Sequence, residues 1–159
     1  VWLRQVDLAG NASASQAFDL QAAGSSMSHE ASSNPLQPSK MAEGLLTMLI
    51  HGVVVRGDRD YVRWDIPKNH QMKSVRLVRY ASEDAIAFYA IQSSNVFDAG
   101  VDVSRMLVYG HMGPADLNRN VLANISPEKL GEGPMTIWFQ QTGTLPTEYA
   151  IEIILQAVN

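Results

Sequence analysis

Two aspartates flank an arginine in the run Gly57-Asp58-Arg59-Asp60-Tyr61-Val62-Arg63-Trp64-Asp65-Ile66-Pro67. Carboxylates two residues apart in a turn, with backbone carbonyls nearby, could serve a hard cation such as calcium, which takes oxygen ligands from flexible loops. A structural reading stands beside it: Asp58 closes the turn through its own backbone, and Asp60 pairs with Arg59 or Arg63. The run lacks the Asp-x-Asn/Asp-Gly pattern and the distal Glu of an EF-hand. A second acidic group is Glu83 and Asp84, followed by Asp98 and Asp102. Gly100 lets the chain fold back so that Asp98 and Asp102 could face one ion. Solvated loop charges are the competing reading.

The histidines, His29, His51, His70 and His111, form no i, i+2 or i, i+4 pair, so zinc-ligand spacing is missing. The sequence has no Gly-x-Ser-x-Gly elbow, no P-loop and no dinucleotide glycine fingerprint. Catalysis has no visible machinery, and the chemistry left is recognition. Trp138 shares a strand face with Thr136 and Gln140. If that face is open, the indole offers an apolar plane and its neighbours offer hydrogen bonds, a platform on which a sugar stacks. A core position for Trp138 is the alternative. His111, at a strand end beside Tyr109, joins these ligand candidates or plays a hydrogen-bonded structural role.

With 159 residues, 46% of them apolar, the chain can bury the core of one domain. A net charge of −4 with scattered Lys and Arg argues against a nucleic-acid partner, which needs a clustered basic surface. Cysteine is absent, which removes disulfides and thiol chemistry. No apolar run reaches the roughly 18 residues of a membrane-spanning helix. The chain opens on a strand-like alternation without an initiator methionine, from which we expect a piece of a longer protein.

Strands must position whatever site exists. Residues 1–8 alternate and end in a Gly-Asn turn, while 22–40 is rich in Ala, Ser, Gly, Asn and Pro and reads as a linker. Residues 40–51 balance helix-forming Met, Ala and Leu against two interrupting glycines, and lean to strand. In 61–66, Val62, Trp64 and Ile66 share one face. Residues 73–80 place Val75 and Leu77 inward, and 85–92 is apolar on both faces, as in a central strand. Strands at 106–112, 135–143 and 148–156 follow, the last with Tyr149, Ile151, Ile153 and Leu155 on one side. A helical turn is expected around 114–125. The sum is an all-β fold: an antiparallel β-sandwich of about eight strands, jelly-roll or immunoglobulin-like, with at most one short helix. Loops at 93–105 and 113–134 are where a site belongs.

Four segments in order carry a family resemblance: "GDRDYVRWDIP", "MKSVRLVRYASEDAIAFYAIQSSNVF", "LVYGHMG" and "MTIWFQQTGTLPTEYAIEII". Together they resemble the pre-peptidase C-terminal β-sandwich module of secreted bacterial hydrolases and large surface proteins, over roughly residues 34–156. The features are the acidic turn before a strand ending at Pro67, the Ala87 to Gln92 strand, and Trp138 to Gly143 followed by Tyr149 to Glu152. The segment "RQVDLAGNASASQAFDL" is similar to the closing strand of bacterial immunoglobulin-like adhesin repeats. The domain reading is therefore 1–21 as that strand or as the first strand of the same sandwich, 22–40 as linker, and 41–159 as the module. The resemblance implies an extracellular or cell-surface, non-catalytic binding or adhesion module in a larger bacterial protein. It also implies possible calcium stabilisation at the acids named above, and a glycan or peptide on a cell surface as partner alongside neighbouring domains. A structural spacer, or an accessory domain of a secreted hydrolase, is the alternative.

Overall fold

Side chains that alternate between two faces organise this chain into strands whose apolar faces close on each other. A computed structural model describes residues 30–81 and 86–158, and the strand backbone at 2–3, 16–17 and 25–27. The strands are β1 (Trp2–Leu3), β2 (Gln16–Ala17), β3 (Ser25–Met27), β4 (Ser39–Lys40), β5 (Thr47–Val54), β6 (Asp60–Ile66), β7 (His70–Ala81), β8 (Ala87–Gln92), β9 (Val108–Met112), β10 (Gly133–Gln141) and β11 (Thr147–Ala157). β1 and β2 pair with each other. The others form two sheets, ordered β4-β6-β10-β8-β9 and β3-β5-β11-β7. The long strands pair antiparallel, while the short edge strands β3 and β4 run parallel to β5 and β6. The fold is the all-β sandwich expected from the alternation.

The core lies between the sheets. From the first come Val62, Trp64 and Ile66 of β6 and Met135, Ile137 and Phe139 of β10; from the second come Val75 and Leu77 of β7 and Ile151, Ile153 and Leu155 of β11. Burying each such side chain contributes roughly 1.5–3 kcal/mol, which gives the loops a rigid support. Two register shifts of β11 against β7, at Ala150/Ile151 and Ile154/Leu155, add local twist.

Two segments differ from expectation. The linker-like stretch 22–40 contributes both short edge strands, and it seats Ala31 in the core. Backbone pairing needs no apolar signature, so serines serve at an edge. The helical turn expected over 114–125 shrinks to a 3-10 turn at Pro114–Asp116, because Leu117 returns to extended ψ. Further 3-10 turns occur at Val103–Arg105 and Pro127–Lys129. No helix of the described residues is long and apolar enough to cross a membrane.

Candidate functional site

Of the acids proposed for calcium, Asp58, Asp60, Asp98 and Asp102 are engaged by protein groups. In the turn before β6, Asp58 Oδ1 accepts from the Arg59 amide at 2.8 Å. Asp60 turns the other way, into the sandwich, and accepts from the Tyr149 hydroxyl at 2.6 Å. The two carboxylates do not share a site, and Asp60 pairs with neither Arg59 nor Arg63. Arg63 instead lies 3.9 Å from Asp65. Asp98 takes the Arg105 guanidinium at 2.6 Å, and the Arg105 and Gln92 hydrogen bonds hold its carboxyl below the usual range. Asp102 caps the 103–105 turn, accepting from the Ser104 hydroxyl at 2.7 Å and amide at 3.0 Å, which lowers its pKa likewise. Asp84 lies outside the described residues. Among the described residues no three metal-ligating side chains come together.

The outer face of the first sheet holds the aromatic candidates. Trp138 is 8% exposed, so it is no open platform. It lies against Tyr61, Phe88 and Phe97, with ring centroids 6.0, 4.8 and 5.6 Å away, and the Arg59 guanidinium sits 5.5 Å over it. The loop after β8 creates this satellite core by folding back over the sheet. It is pinned by the fully buried Thr136, whose hydroxyl donates to the Ser94 carbonyl at 2.7 Å, and by Gln92, whose amide accepts from the Ala99 N–H at 3.1 Å. Phe97 adds a backbone bond to the Pro35 carbonyl. Thr136 is thus an anchor of the loop. Gln140, Phe88 and His111 stand in one row across β10, β8 and β9, with His111 exposed and edge-on to Phe88 at 5.6 Å. Tyr109, on the same edge strand, is 50% exposed.

Where the anchored loop meets the 126–135 connection, a cleft of about 860 Å³ opens. Gln92, Ser104, Arg105 and Met106 line one wall; Lys129, Glu132 and Met135 line the other. Both loops are the ones expected to carry a site. The cleft is rich in donors, acceptors and charges of both signs, with Met106 as an adaptable apolar contact. Such a lining suits a polar, extended ligand more than a compact apolar one.

Acid–base chemistry is placed elsewhere. Among the described residues, Asp60 is the carboxyl whose pKa is pushed up, to about 7, chiefly by burial. It sits in register with Phe139, four residues along β10 from Met135. At strand rise that is roughly 13 Å from the cleft wall. Burial and the facing Asp60 carboxylate push the Tyr149 hydroxyl far up.

Sequence reasoning passed over Gln92, Arg105 and Lys129, and misjudged Asp60. Asp60 was legible: stepping back two residues from Val62, Trp64 and Ile66 puts it on the apolar face. The cleft residues carry no such signal, because they meet through the fold of two loops distant in sequence.

No family model and no curated protein matches the chain. Among solved structures, the chain is similar to the crystal structure of Salmonella Typhimurium PliG, a periplasmic lysozyme inhibitor of g-type lysozyme. The identity is 11% and the TM-score 0.39, over 74% of this chain and 98% of that one. A likeness at that level decides neither fold nor ligand.

Proposed function

We propose that this chain is a non-catalytic, extracellular binding module of a larger bacterial surface or secreted protein, akin to pre-peptidase C-terminal modules. It takes a segment of a cell-surface glycan or peptide in the cleft between the loops at 92–107 and 128–135. The cleft itself carries this reading. It is a wide polar groove built from two loops, one of them fastened to a rigid sheet by Thr136 and Gln92. Such a groove is where a sandwich presents recognition chemistry. The upshifted carboxyl lies away from the groove and is sealed between the sheets, which favours binding over acid–base catalysis.

The test is a screen of the purified chain against immobilised glycans and a random-peptide library, with calcium and with a chelator. Wild type is compared with Gly131→Trp. Gly131 lines the cleft, and a Cβ there meets nothing within 4 Å, so the position has room for a bulky side chain at the groove. Binding by wild type that Gly131→Trp loses supports the cleft. Binding that both share moves the site elsewhere, and no binding in either buffer favours the spacer reading. Chelator-sensitive binding would return calcium to the account.

A further inference from the structure

The two sheets meet at one end through a buried ionisable contact that the binding reading does not use. Asp60 of β6 is 2% exposed and faces inward beside Phe139; the Tyr149 hydroxyl of β11 donates to its Oδ2 at 2.6 Å. Gly52 of β5 makes room for the contact, since a Cβ there would lie 3.3 Å from both Asp60 Oδ2 and the Tyr149 hydroxyl. Among the described residues, Asp60 Oδ1 is buried with no hydrogen-bond partner.

We propose that Asp60 and Tyr149 form a proton-dependent clamp: the sheets are held with Asp60 as a neutral carboxylic acid, and losing that proton loosens this end of the sandwich.

Among the described residues, no cation faces a carboxylate at this position. The charged groups that act on Asp60 are Asp58, in the turn before β6, and Glu30, ahead of β4, both acidic. Arg59 turns away over Trp138, and Arg63 lies beside Asp65. From β10 the neighbour is Phe139, and β5 presents Gly52. On the outer face of the second sheet His51 and Arg79 flank Ala150 in register, and Arg79 meets Glu148 at 2.7 Å. The Tyr149 bond eases the ionised form, but a buried charge with one donor and no cation stays costly.

Burial therefore raises the Asp60 pKa to about 7, against 3.8 in an open chain. The folded state holds a proton that the unfolded state has lost between these values. Its contribution is complete below about pH 4 and falls away as pH rises through about 7. From those two values, the unfolding equilibrium constant grows roughly a hundredfold between pH 5 and pH 8 through this one group.

Urea titrations of wild type and Asp60→Asn at both pH values test the clamp. We expect the rise in wild type to exceed that in Asp60→Asn by roughly the hundredfold calculated for this group. Carboxyl ¹³C NMR of wild type provides a second readout that needs no variant, and should show one aspartate titrating near neutrality. In Tyr149→Phe that midpoint should move to higher pH, because the bond that eases ionisation is gone. Equal pH dependence in wild type and Asp60→Asn overturns the clamp, as does every carboxyl titrating below about pH 5.5.

Discussion

Tyr149 and Asp60 belong to different sheets, and the 2.6 Å hydrogen bond between them is a buried polar tie across the sandwich. The same ring stacks on Phe139 with centroids 4.1 Å apart. Tyr149 thus fixes Asp60 with its polar tip while its apolar body continues the core.

Removing that tip is the first prediction. Tyr149→Phe keeps the stack and deprives the carboxylate of its donor. We expect a loss of about 1.5–3 kcal/mol at pH 8, where Asp60 is mostly ionised, from the hydrogen bond to a charged group. At pH 5, where it is neutral, about 1 kcal/mol should be lost. Urea unfolding at the two pH values measures both.

Gly52→Ala attacks the same contact from the third strand. The added methyl would sit 3.3 Å from Asp60 Oδ2 and from the Tyr149 ring, so these groups must give by a few tenths of an ångström. A cost of about 1–3 kcal/mol is expected from overpacking, read as a lower urea midpoint. A neutral result would mean that this end of the sandwich has slack.

Thr136→Val tests the loop anchor. The change preserves volume but removes the donor to the Ser94 carbonyl, and leaves that acceptor unpaired. The stability cost should be about 1–3 kcal/mol. Amide exchange should accelerate over 93–106 while β6 and β11 stay protected.

Trp138→Ala separates a packed indole from an exposed stacking platform. With Trp138 enclosed by Tyr61, Phe88 and Phe97, truncation should cost about 3–5 kcal/mol. An exposed platform would lose less than about 0.5 kcal/mol. Thermal or urea unfolding distinguishes the two.

The long strands were legible because each repeats one rule. Val62, Trp64 and Ile66, or Ile151, Ile153 and Leu155, announce a buried face by period alone. The short edges at Ser25–Met27 and Ser39–Lys40 were not, since their pairing is a backbone matter that serines neither advertise nor oppose. The alternation placed Trp138, Thr136 and Gln140 together on the outer face, which is where they stand. It could not reveal that a loop covers two of them. That cover depends on contacts such as Thr136 to Ser94, 42 residues apart, and Phe97 to Pro35. The cleft escaped for the same reason.

Recognition in the cleft can be read residue by residue in a titration of ¹⁵N-labelled protein with the strongest ligand from the glycan and peptide screen. Chemical-shift changes should cluster at Gln92, Ser104 to Leu107, and Lys129 to Met135. Changes confined to Phe88, Tyr109 and His111 would place the ligand on the outer sheet face and contradict recognition in the cleft.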